Sequence, residues 1–396
     1  MKVIIAIDSL KGSLTSMEAG QAIKEGILKA KPDAVVSIKP LADGGEGTTD
    51  ALIEGLGGKH VDLTVTGPMG SPVDCYYGIL EDTAATDSHL SDSKTAVMEM
   101  AQAAGITLVP SNQKNPLAAT TYGVGEMILH AIENGCRSFI IGIGGSATND
   151  GGIGMLKALG YEFLDELGND VGEGGQALSK IHTIKSDNVN RNISLCDFKI
   201  ACDVTNPLYG ENGATYIYGP QKGVTEDIKE TLDQGMAHFA LQTAMHFGVN
   251  HALTPGAGAA GGLGFAFLSY LNGELTPGID LILDAVGFEE ELRLSGANTD
   301  SSSTLELIVV TGEGRLDHQT AMGKAPVGVA RLAKKHGAKV IAFAGAVTKD
   351  AASCNDTGID AFFPIVRGVT TLEEAMNSEN AKENMIATVE QVFRLL

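Results

Sequence analysis

The chain predicts an α/β fold: a parallel sheet assembled from both chain ends, with a second α/β domain inserted between them. Three observations carry this. Both ends alternate buried strand, polar loop and helix, the rhythm of βαβ units. The middle has strands and helices of its own in a different order. Third, 50 of the 396 residues are glycine, against a usual share of ~7%. They cluster at 44–47, 142–154, 256–264 and 312–314, nearly all just after an expected strand. Glycine so placed lets the backbone turn tightly or come close to something.

Residues 3–7 form a β-branched apolar run, the pattern of a strand buried on both faces. A polar loop, 8–13, leads to Thr15-x-x-Glu18, a capping box that opens a helix to about residue 30. A second strand at 35–41 ends in Asp43-Gly44-Gly45-Glu46-Gly47. A helix at 48–56 and a strand at 61–66 follow. In the middle, strands are expected at 95–101, 138–143 and 199–202. Helices are expected at 123–135, 151–160 and 225–248, with another opened by the small residues 256–264. The Ser-, Thr- and Asp-rich stretch 81–94 reads as an exposed loop. The C-terminal third returns to strand 305–311, loop 312–317, helix 326–336, strands 339–344 and 361–366, and a closing helix 372–396. Domain boundaries near 75 and 288 follow: residues 1–75 with 288–396 form one domain and 76–287 the other.

With no Trp and few aromatics the core must be aliphatic. Twenty-eight Lys and Arg against 49 Asp and Glu leave a net charge of −21. That excludes nucleic acid and anionic membrane as partners, because binding them needs a basic surface. It permits phosphate held locally by backbone N–H groups. Five cysteines without a CxxC pair read as reduced thiols of a cytoplasmic protein, and the nine histidines show no ligand spacing. No apolar stretch approaches the 18 residues of a membrane span.

The loops carry the chemistry. Asp8, Ser9 and Lys11 offer an acid, a hydroxyl and an ammonium ahead of a helix, or simply cap it. Asp43 and Glu46 flank Gly44-Gly45; they suit substrate hydroxyls or a metal, and a mere cap needs no such glycines. Gly144, Gly145, Ser146, Ala147, Thr148, Asn149 and Asp150 follow an apolar run and make a polar anion nest. Gly142, Gly144 and Ala147 also fit a dinucleotide fingerprint, with Glu162 twenty residues past Gly142. Asp203 and Asn206 follow a short strand and suit Mg²⁺ or a hydroxyl, or an Asx-turn before Pro207. Glu313, Arg315 and Asp317 crowd a strand exit; Arg315 can grip an anion and the two acids can hold Mg²⁺. No Walker A or protein-kinase motif is present.

Taken together, the stretches 40–48, 141–152, 201–208 and 311–317, with Asp8-Ser9-Leu10-Lys11 and 218–223, resemble the bacterial glycerate kinases of the type I family across almost the whole chain. The family usually carries Phe where this chain has Leu10. The resemblance implies a Rossmann-like domain with a second α/β domain inserted, and ATP-dependent phosphorylation of D-glycerate with Mg²⁺, to 2-phosphoglycerate. On that basis residues 144–150 are expected at the ATP phosphates. Asp8, Ser9, Asp43, Gly44, Gly45, Glu46 and Arg315 are expected at glycerate. Arg315 and Lys11 would face its carboxylate or the moving phosphoryl group. Asp203, Glu313 and Asp317 are the expected Mg²⁺ ligands, and Asp203, with Asp43 behind it, the base. Two rival readings stand: an NAD-dependent hydroxy-acid dehydrogenase, and a non-enzymatic sugar-acid sensor. A homodimer is left open.

Overall fold

The structure, a computed structural model, describes residues 1–80, 94–296 and 306–396. The loop expected at 81–94 therefore lies, but for Lys94, outside the described residues. In chain order the strands are β1 (Lys2–Ile5), β2 (Val35–Ile38), β3 (Gly58–Thr66), β4 (Pro72–Leu80), β5 (Lys94–Glu99), β6 (Cys136–Gly142), β7 (Glu162–Leu164), β8 (Thr183–Lys185), β9 (Asp197–Ala201), β10 (Glu274–Thr276), β11 (Leu307–Leu316), β12 (Lys339–Val347) and β13 (Ala361–Pro364).

Both chain ends meet in one five-stranded sheet of order β13-β12-β11-β1-β2, parallel throughout. The intervening chain builds a six-stranded sheet, β10-β9-β6-β5-β4-β3. Its first four strands are parallel, and β4 and β3 add an antiparallel hairpin. β7 and β8 form a separate two-stranded ribbon.

Alternation along β1 explains the layers. Val3 and Ile5 face a core shared with helices Ser16–Ala30 and Ser378–Leu395. Ile4 and Ala6 face the opposite way, into a core that continues across the molecule. It runs through Leu52 and Ile53 of helix Thr48–Leu56, and through Ile279 and Ile282 of helix Gly278–Ala285, to Val97, Ile140 and Ala201 of the second sheet. Two helices are thus packed between the sheets. The far face of the second sheet, with Phe139, Ile141, Phe198 and Ile200, has its own core.

Four local expectations change. The boundary at 75 cuts β4, which is not among the expected strands; β3 and β4 pair with each other and extend the second sheet, so the chain changes sheet between β2 and β3. At the other end helix Gly278–Ala285, ahead of 288, packs into the core that the two sheets share. Residues 312–316 are not a loop: β11 runs on to Leu316, pairing Arg315 with Ala346. Gly312 makes this possible, because a Cβ there would lie 1.8 Å from the Phe343 carbonyl oxygen. The closing helix divides into Leu372–Met376 and Ser378–Leu395, where the Asn377 side chain accepts from Asn380 N and caps the second part. The capping box at Thr15 forms in both its halves.

Helices Ser16–Ala30 and Ser378–Leu395 touch at Gly26, where a Cβ would stand 2.6 Å from Ile386 O and 2.9 Å from Val389 Cβ. Gly26→Leu is expected to cost about 1–3 kcal/mol through overpacking. Urea unfolding reads this as a lower midpoint at unchanged slope; an unchanged midpoint would disprove the close contact.

Candidate active site

Parallel strands deliver their loops to one edge, and two cavities open there. The larger, about 750 Å³, lies beyond β1, β11, β12 and β13 and presents Asp8, Ser9, Lys11, Glu313, Arg315, Asp317 and Lys324. The smaller, about 440 Å³, lies beyond β6 and β9 and presents Gly44, Gly45, Gly144, Gly145, Ser146, Asp203 and Lys222. Asp43 lines both.

Glycine puts Asp43 there. Gly44 has φ +83°, and a Cβ on it would fall 2.7 Å from Ala201 Cβ and 2.8 Å from Gly278 Cα. A Cβ on Gly142 would stand 2.4 Å from Gly44 O. The glycines of this loop serve the approach of backbone to backbone. Asp43 Oδ1 accepts from Gly45 N at 3.0 Å. Across the junction Asp203 Oδ1 accepts from Gly278 N at 2.8 Å. Glu46, by contrast, is exposed and lines neither cavity. The carboxylate this loop does use is buried Glu99, which accepts from Gly47 N and Thr49 N at the start of the helix.

The carboxyl groups around Asp43 crowd one another. Burial, then the charge of Asp43, pushes Asp8 up to about 7, against the pull of Ser9 N–H and Lys11. Burial raises Glu313; its bond from Thr320 Oγ1 and the charge of Lys324 oppose this, while Asp317 and Asp43 add to it. Burial also raises Asp203; the Gly278 N–H bond lowers it, and Asp43 and Asp280 push it further up.

Three of the expected groupings do not form as drawn. Asp203 lies in the small cavity and Glu313 and Asp317 in the large one. Among the described residues no three His, Cys, Asp or Glu side chains stand as a metal-binding group. Asp317 is a helix cap: its Oδ1 accepts from Gln319 N and Thr320 N, and Arg315 Nε stands 3.6 Å from its Oδ2. In the glycine loop only Gly144, Gly145 and Ser146 reach the cavity; Ala147, Thr148, Asn149 and Asp150 line neither cavity and are buried. Asp150 accepts from Thr121 N and Oγ1, Gly152 N and Gly154 N, so a buried internal carboxylate caps the following helix. Glu162 opens β7 in the separate ribbon and accepts from Asn188 Nδ2, which removes the acid a dinucleotide fingerprint needs.

Lys222 is absent from the expected site residues. It is only 2% exposed, and its Nζ donates to Ser146 Oγ at 2.6 Å and Thr148 O at 2.7 Å. Burial pulls it down to about 7, with Asp150 opposing. The sequence signal was the polar run at 218–223, whose one cation is Lys222.

Comparison with known proteins agrees along the whole chain. The model of the glycerate kinase family matches residues 3–396. A glycerate kinase of Bacillus subtilis (strain 168) is 44% identical over 392 residues, 99% of this chain and 97% of that protein. A glycerate 2-kinase of Escherichia coli (strain K12) is 43% identical over 396 residues, 98% of each. A crystal structure from Salmonella typhimurium LT2 superimposes with a TM-score of 0.87 at 41% identity, covering 100% of this chain and 98% of that one. The two-sheet architecture, the loops gathered at Asp43 and these matches together place the chain in the glycerate kinase family.

Proposed function

We propose that this chain transfers the terminal phosphoryl group of ATP to D-glycerate and releases ADP and 2-phosphoglycerate. The observation that carries the reading is the pair of cavities joined at Asp43. A transfer between two bound anions needs two adjoining sites and one shared wall where the reacting oxygens meet. The Escherichia coli relative, a glycerate 2-kinase by name, supports the choice of hydroxyl.

Asp203 lines the small cavity with one carboxylate oxygen tied to Gly278 N. Its free oxygen would accept the proton of the attacking hydroxyl. The hydroxyl oxygen then bonds to the γ-phosphorus as the bond to the ADP oxygen breaks. Lys11 and Arg315 face the large cavity and would stabilise charge on the moving phosphoryl group. The crowded, desolvated carboxyl groups fit a hard cation with oxygen ligands. Asp43 and Glu313 would hold Mg²⁺, with phosphate oxygens completing the shell, as is usual for this ion. When bound, it would neutralise phosphate charge and orient the polyphosphate.

A coupled assay with ATP and D-glycerate should release ADP, and the organic product should be consumed by enolase, which accepts 2-phosphoglycerate and not the 3-isomer. Glycerate binding without ADP release would favour a sensor. Asp203→Asn should lower kcat by about 100-fold or more at unchanged melting temperature; near-wild-type turnover would move the base role to Asp43. Asp8 carries a pH signature in the metal-free protein. Its folded value of about 7 lies above the ordinary 3.8, so the unfolded chain loses this proton first as pH rises. Stability therefore falls between those values and stays reduced above them. Asp8→Asn should melt higher than wild type at pH 8 and not at pH 4; equal melting at pH 8 would refute the burial of that charge.

A further inference from the structure

The two cavities differ in size, in the number of cations they present and in apolar surface, and those differences suit different substrates. The large cavity carries three cations, Lys11, Arg315 and Lys324, set among four acids, Asp8, Asp43, Glu313 and Asp317. It also carries an apolar wall formed by Ile365, Leu372 and Met376. Leu372 and Met376 are 76% and 39% exposed, so this wall is left open to solvent at the cavity mouth. The small cavity has one cation, Lys222, and a short stretch of open backbone at Gly144 and Gly145.

A nucleoside triphosphate needs an apolar surface for its base and several cations for its phosphates. A small hydroxy acid needs one cation for its carboxylate and acceptors for its hydroxyls. Glycine loops ahead of helices ordinarily hold polyphosphates through the free N–H groups of the helix start. Here that device is already used: Asp150 takes the N–H groups of Gly152 and Gly154. Thr148, Asn149 and Asp150 are fully buried. What remains facing the small cavity from this loop is the Gly144–Gly145 backbone and Ser146, beside the one cation Lys222. Lys222 Nζ has three donors, and Ser146 Oγ and Thr148 O take two.

Resting on the kinase reading above, we propose that the nucleotide occupies the large cavity, its base against Ile365, Leu372 and Met376 and its phosphates toward Lys11, Arg315 and Lys324. D-glycerate occupies the small cavity, its carboxylate on Lys222 and the Gly144–Gly145 backbone, its hydroxyls toward Asp203 and Asp43. This reverses the sequence expectation, which put the glycine loop on ATP and Arg315 on glycerate. Both substrates then meet at Asp43.

Leu372→Asp tests the nucleotide side, since an exposed side chain can change without loss of the fold. The KM for ATP should rise roughly tenfold or more, with the KM for D-glycerate within about twofold of wild type. Lys222→Met should do the reverse. Because Lys222 is buried and its variant can fail to fold, a second measurement uses the unaltered protein. Cys202 lines the small cavity, so its alkylation, followed by mass spectrometry, reports occupancy there. D-glycerate alone should slow that alkylation and a non-hydrolysable ATP analogue alone should not. Protection by the nucleotide alone, or a glycerate KM raised by Leu372→Asp at unchanged ATP KM, overturns the assignment. Absence of ATP-dependent phosphorylation in the wild type overturns the kinase reading instead, and the alkylation pattern still decides which anion the small cavity takes.

Discussion

The site hangs on a contact with no side chain in it: the backbone of Gly44 against the backbone of Gly278. The first residue lies in the loop after β2, in the sheet built from both chain ends. The second starts the helix that follows β10, in the other sheet. A Cβ on Gly278 would lie 2.1 Å from Asp43 O, closer than real Cβ atoms approach anything. The contact therefore brings the loops of two sheets within one carboxylate's reach of each other. Asp43 comes from one sheet and Asp203 from the other, and the Gly278 N–H that holds Asp203 belongs to the contact itself. The core shared by the two sheets runs behind this point through Ile279 and Ile282, so the junction is braced by apolar packing that is unaffected by substrate charge.

The polar residues near the site divide into those that face ligand and those that hold the frame. Asp150 is fully buried and accepts four hydrogen bonds, which is how a buried carboxylate is made tolerable. It ties Thr121 to the start of helix Ile153–Ala158 and supplies the charge that partly supports Lys222. Glu99 does similar work for helix Thr48–Leu56. Neither lines either cavity of the site, yet each fixes a loop that does.

Much of the fold was legible because buried parallel strands announce themselves as apolar runs. β1, β6, β9 and β12 fall where such runs occur. β4 was not legible, because Pro72, Asp74 and two tyrosines break any clean run and its pairing depends on a hairpin partner. In the site, Asp8, Asp43, Asp203, Glu313 and Arg315, which the motifs single out, stand on cavity walls. Composition could not show that Glu46 points away, that Asp317 is spent on a cap, or that Asp150 faces inward, since Asp serves cap, core and ligand alike. Lys222 was hidden for the opposite reason: a lysine in a surface-like sequence is buried only by the fold.

The crowding at Asp43 also explains how a chain of charge −21 can hold anionic substrates. Its bulk surface repels them, so attraction must be local. Lys11 lies close enough to stabilise ionised Asp8, and Lys324 close enough to stabilise ionised Glu313. Each of these exposed lysines thus stands beside a carboxyl group that burial holds above its usual range. An arrangement of this kind is poorly satisfied by itself. Removing water from three neighbouring acids, Asp8, Asp203 and Glu313, costs free energy that no internal ion pair recovers in full. On the reading proposed above, a divalent cation arriving with a polyphosphate would supply positive charge to the acids and negative charge to the lysines in one event.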